Sequence, residues 1–130
     1  FTNPMTLMNS TNTPEWRSAC IPAANCHASA LDLARFYGAL ASGGEPIGLS
    51  SATLAAFTEA RASERDKVLG VPLRFGLGLM GSQPGAGGSV GFADPQSGLG
   101  FAYVTARLGQ SLLIDARAQR LIAELAPLAL

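Results

Sequence analysis

The run Gln83-Pro84-Gly85-Ala86-Gly87-Gly88-Ser89 leads directly into the strand-forming Val90-Gly91-Phe92-Ala93 and the turn pair Asp94-Pro95. Three glycines in four positions, bounded by residues that favour extended structure, describe a backbone that another group must approach closely. That is the character of a binding or active-site wall. The reactive side chains that such a wall serves are missing from the run, so the chain reads as part of a catalytic site and not a whole one.

The elements around the wall follow from periodicity and punctuation. Arg74 to Met80, Ser89 to Ala93 and Leu99 to Thr105 are short β-like runs. Turn clusters at Gly81-Ser82-Gln83-Pro84 and Asp94-Pro95-Gln96-Ser97-Gly98 divide them, which predicts an antiparallel three-stranded meander. Upstream, Ser29 opens a helix with Asp32 as its capping partner and Leu33, Phe36, Tyr37 and Leu40 on one face; Gly43-Gly44 stop it. Ser50 or Ser51 caps a second helix carrying Leu54 and Phe57. Glu64-Arg65-Asp66-Lys67 reads as a solvated surface link. Ala118, Leu121, Ile122 and Leu125 stand at helical spacing in a closing segment, Asp115 to Leu125, expected to cover one sheet face. The predicted class is α+β: two helices, a three-stranded meander and a closing C-terminal helix. Residues 1–28, rich in Asn, Thr and Pro, read as an irregular lead-in from an upstream part, and 29–130 as the domain portion proper.

Composition narrows the partners. Charged residues make up 14% of the chain against 48% hydrophobic, a low charge density for a free-standing small domain. Part of the surface is therefore expected to meet a further, N-terminal segment of the same protein. Net charge is zero, with Lys67 the one lysine and the arginines scattered, which argues against nucleic acid. No apolar run reaches the length of a membrane span, so no membrane partner is expected either. Phe1-Thr2-Asn3-Pro4-Met5 lacks the features of a signal peptide, which leaves the compartment open with a lean to the cytoplasm.

Local motifs exclude more than they assign. Gly76-Leu77-Gly78-Leu79-Met80-Gly81 carries the letters of a dinucleotide fingerprint but sits in a strand with no helix after it, and no cofactor is expected. Cys20 and Cys26 match no redox or zinc spacing and read as two small buried thiols; no metal is expected. His27, the single histidine, reads as a structural hydrogen-bonding residue. Asn9-Ser10-Thr11 fits the glycosylation pattern, which is common by chance. A serine nucleophile of the S-x-x-K type needs lysine one helical turn after serine, yet Glu64 stands three residues before Lys67. Neither Tyr37 nor Tyr103 begins a Tyr-x-Asn triplet.

The stretch His27-Ala28-Ser29-Ala30-Leu31-Asp32-Leu33-Ala34-Arg35-Phe36, with Leu49-Ser50-Ser51-Ala52-Thr53-Leu54 after it, resembles the S-T-A-x-D-L-A-R-F and L-S-P-x-T-L segments of β-lactamase-related serine hydrolases. Pro84 to Pro95 resembles the H-P-G-A-G-G-S-x-G-F-A-D-P stretch of the carboxylesterase-like branch, and the likeness covers most of residues 16 to 125. It implies the C-terminal part of a β-lactamase/transpeptidase-like fold acting on a small-molecule ester. Serine, lysine and tyrosine would then lie upstream, leaving no catalytic side chain in this segment. By the same resemblance Gln83, Pro84 and Gly85 match the K-T-G or H-x-G triplet, and the backbone N–H of Ala86 is one oxyanion-hole donor. Gln83 replaces a cation or imidazole with a neutral amide. Ala106 stands where the esterase-like pattern has Asn, and Cys26 and Ala28 where relatives often have glycine. A non-catalytic ligand-binding remnant of the same fold is the alternative expectation.

Overall fold

A computed structural model describes residues 10–21, 26–67, 70–77, 79–80, 83–84, 88–109 and 114–125. Each helix begins where a small polar side chain satisfies an otherwise orphaned backbone N–H. Thr13 accepts from the Trp16 N–H at 3.2 Å ahead of α1 (Pro14–Ser18), which has Pro14 in its first turn. Ser29 accepts from the Asp32 N–H at 3.1 Å and donates to its carboxylate at 2.6 Å, opening α2 (Ala30–Ala41). Gly43 and Gly44, both at positive φ, close α2 by donating to Leu40 and Ala39. A 3-10 turn (Glu45–Ile47) follows, and then Ser50 caps α3 (Ser51–Thr58).

Two small sheets come next. β1 (Ala62–Arg65) and β2 (Pro72–Phe75) form an antiparallel hairpin in the register Ala62↔Phe75 to Arg65↔Pro72. β3 (Gln83–Pro84), β4 (Val90–Asp94) and β5 (Leu99–Tyr103) form an antiparallel meander in that spatial order. The β4–β5 turn is fastened by Asp94, whose carboxylate accepts from the Gln96 N–H at 3.1 Å and the Ser97 hydroxyl at 2.5 Å. Those bonds, Ser97 first, hold the Asp94 carboxyl below its ordinary range. The chain ends its described part in α4 (Ala116–Leu125).

The α+β layout and the three-stranded meander are as the sequence predicts, but three elements differ. The first meander strand is Gln83–Pro84 and not Arg74 to Met80, which divides at Gly76: its first half is β2, and Met80 bridges back to Phe75. The supposed link at Glu64-Arg65 belongs to strand β1, exposed as expected; its partner β2 alternates exposed Pro72 and Arg74 with half-buried Leu73 and Phe75, and such a marginal ribbon tolerates charge where a core strand would not. The lead-in contains helix α1. Cys20 and Cys26 are exposed, contrary to the buried thiols expected, because α1 buries no residue and Cys26 precedes the open entry to α2. His27 is likewise exposed and makes no hydrogen bond to the other described residues.

The main packing layer is α2 laid across β5 and β4, more extensively than any other helix on strand. Glycine makes this approach possible. A Cβ on Gly100 would overlap the Gly38 backbone nitrogen, and one on Gly91 the Tyr37 ring. Ala39, Leu40 and Ala41 are the buried end of α2, whereas Phe36, expected inside, is 42% exposed and meets Tyr37 edge-on at 5.4 Å. The closing helix α4 buries Ala118 completely in its first turn, with Ile122 and Leu125 half-buried on the same face and Leu121 40% exposed.

Candidate active site

β3 is a strand of two residues, Gln83 and Pro84. Gln83 pairs with Gly91 and Pro84 with Val90. Pro84 has no N–H to give a ladder, which an edge strand accommodates. Gly85, Ala86 and Gly87 lie outside the described residues. The run is described again at Gly88, buried at φ +103°, a conformation that side chains other than glycine's rarely adopt. Here the constraint is double, since a Cβ on Gly88 would also overlap the Asp115 carboxylate. Ser89 is engaged structurally: its Oγ accepts from the Thr105 N–H at 3.3 Å and lies 3.5 Å from the Thr105 hydroxyl. No described lysine or histidine activates that oxygen, so Ser89 ties the wall to the end of β5 instead of serving as a nucleophile.

Asp115, Arg117 and Thr105 are the residues around the wall that sequence reasoning did not single out. Asp115 is 9% exposed and caps α4, its Oδ1 accepting from the Arg117 and Ala118 N–H groups at 3.0 Å each. Its Oδ2 accepts from Arg117 Nε at 2.8 Å and from Nη2, while Arg117 Nη1 donates to the Arg107 carbonyl at 3.0 Å. The Arg117 hydrogen bond, seconded by the Ala118 amide, holds the Asp115 carboxyl below its ordinary value; the same bond raises Arg117. An Asp immediately ahead of a helical period was the available signal for the cap, but nothing local signalled that it would meet Gly88.

A cavity of about 480 Å³ lies between α2, α3 and the chain around β2 and β4, with Tyr37, Leu40, Leu54, Arg74, Met80 and Phe92 in its lining. Neither Gly88 nor Ser89 lines it. Burial, and after it the neighbouring Cys26, pushes the Tyr37 phenol up, so at neutral pH this hydroxyl can donate but cannot act as a base. Among its described lining residues no nucleophile faces a base, and the cavity is a mostly apolar space between helices and strands. Among the described residues, no cluster of three or more His, Cys, Asp or Glu side chains could hold a metal ion. No described helix is long and apolar enough to cross a membrane.

Comparison with known proteins agrees with this architecture. Residues 2–124 match the family model described as Beta-lactamase, a match that runs back through the expected lead-in. The chain is 40% identical over 108 residues to the esterase/beta-lactamase LipL of Mycobacterium tuberculosis (strain ATCC 25618 / H37Rv), covering 72% of this chain and 25% of that protein. Among solved structures it is similar to a family VIII carboxylesterase, with TM-score 0.84 and 32% identity over 94% of this chain and 37% of the other. It is also similar to a penicillin-binding protein homolog from Caulobacter crescentus, with TM-score 0.79 and 40% identity over 92% of this chain and 36% of the other. The chain thus spans between a quarter and two fifths of the length of these relatives. On fold, sequence and family match together, this chain belongs to the beta-lactamase family, within the β-lactamase-related serine hydrolases.

Proposed function

We propose that residues Gln83 to Ser89 form one wall of a carboxylesterase site, and that the nucleophilic serine, its lysine and a tyrosine belong to sequence outside these 130 residues. One observation carries the reading. Among the described residues β3 is an edge strand of its sheet, so Gln83 and Pro84, which begin the run, are paired on one side only, as a strand that lines a substrate site is. The small share of each relative that this chain spans is consistent with a nucleophile carried elsewhere in the protein.

In the reaction the serine oxygen attacks the ester carbonyl carbon, and the carbonyl π electrons move onto oxygen. The backbone N–H of Ala86, with the nucleophile's own N–H, holds the oxyanion; such donors act through orientation, and removing one costs about a hundredfold or more in rate. Collapse expels the alkoxide, which takes up the proton released by serine, and leaves an acyl-serine ester. Water then adds to that ester and frees the carboxylic acid and the serine. Gln83 favours neutral esters over β-lactams, because an amide offers no charge for a substrate carboxylate.

Gln83 and Ala106 also support a second reading, a ligand-binding remnant of the fold, since each departs from the esterase-like pattern at a polar position. The protein expressed from its whole coding sequence distinguishes the two. An esterase gives a burst of p-nitrophenol from p-nitrophenyl butyrate and a serine labelled by a fluorophosphonate. A protein that binds butyrate esters without turnover or labelling is the remnant.

A further inference from the structure

Gly88 and Asp115 are far apart in sequence, yet the Asp115 carboxylate fills the volume that a side chain on Gly88 would need, and Arg117 Nη2 would lie 2.9 Å from that Cβ. The carboxylate is itself held from several directions. Two amide N–H groups of α4 fix Oδ1, and the Arg117 guanidinium fixes Oδ2 and reaches on to the Arg107 carbonyl in the segment after β5. That segment is joined to the wall a second time, by Thr105 donating to Ser89. The charged group that faces the carboxylate is the Arg117 guanidinium, with the titratable Tyr103 phenol near Arg117. Arg107 takes part through its backbone carbonyl.

We infer that Asp115 is a positioning residue for the wall: clamped by Arg117 and the first turn of α4, it sets where the Gly88–Ser89 end of the glycine-rich run sits. This rests on the carboxylesterase reading above. A helix cap alone does not require it. Asparagine caps a helix as well as aspartate does, but it cannot form the charge-assisted pair with Arg117 that immobilises the carboxylate against Gly88. Oxyanion stabilisation depends on donor placement to within fractions of an ångström, so a loosened wall reduces turnover more than binding.

The test uses the full-length protein and p-nitrophenyl butyrate, with kcat and KM measured separately and melting followed by calorimetry. Asp115→Asn should fold and melt below wild type by the lost pair with Arg117, lose about tenfold in kcat at a temperature where it is fully folded, and keep KM within about twofold. Arg117→Gln, which leaves the carboxylate and its amide bonds in place, should show the same split, and it decides the matter should Asp115→Asn fail to fold. Either folded variant retaining kcat within about twofold of wild type overturns the positioning role while leaving the esterase reading intact. A folded wild-type protein without turnover overturns both.

Discussion

At the scale of single residues, the wall is defined as much by what cannot be placed on it as by what is there. Gly88 combines positive φ with a carboxylate at its Cβ position; Gly88→Ala is expected to cost about 1–3 kcal/mol from backbone conformation alone, read from denaturant midpoints, before the overlap is counted. Asp115 makes its own stability pH-dependent. Its folded pKa is depressed, so the contribution is present above the ordinary value of 3.8 and is lost as pH falls through the lower folded value. Asp115→Ala should therefore melt below wild type at pH 7, with the gap narrowing as pH drops below 3.8; a gap independent of pH would mean the carboxylate is not the stabilising group. Gln83 concerns turnover instead. In the whole protein, Gln83→His should raise kcat/KM for short esters by about tenfold if one charge-assisted hydrogen bond worth about 1.4 kcal/mol is regained in the transition state. An unchanged kcat/KM would place position 83 away from the reacting carbonyl.

At the scale of elements, legibility tracks how local the determining physics is. Ser29 and Ser50 cap α2 and α3 within a single turn, and Gly43-Gly44 end α2, so both helices could be read from the sequence to within a residue or two. The strands were harder. Arg74 to Met80 carries the right residue types, yet what ends β2 is Gly76 folding back so that its N–H meets the Leu79 carbonyl at 2.7 Å. Pro84 marks a turn by composition and becomes a strand only because Val90 stands opposite it at a sheet edge. The Asp115–Gly88 contact joins positions that no sequence window spans, and so the support behind the wall stayed invisible where the wall itself did not. The α2 layer yields a direct check. Gly100→Val puts a branched side chain against the backbone of Gly38 and Ala34, and overpacking of this kind costs about 1–3 kcal/mol or more. A variant as stable as wild type would show that α2 does not rest on β5.

At the scale of the whole molecule, the described residues bury little that is large. The buried apolar set is Ala39, Leu40, Ala41, Val90 and Ala118, and no large side chain is fully enclosed, while Leu31, Leu77 and Leu108 are each at least half exposed. A core of three alanines, one valine and one leucine is thin for a chain with 48% hydrophobic residues. Among the described residues nothing pairs with the outer edge of β3 or of β5. Unpaired edges and uncovered leucines both favour association. The 130 residues expressed alone should therefore self-associate and bind a dye for exposed apolar surface, and they should show no burst with p-nitrophenyl butyrate, since the wall would have no activated nucleophile to serve. Light scattering coupled to gel filtration and a fluorescence titration read the first two, and stopped-flow absorbance the third. A monodisperse, cooperatively melting monomer that binds no dye would establish a self-contained module, whereas a serine-dependent burst from it would mean that a nucleophile and its base lie within these residues after all.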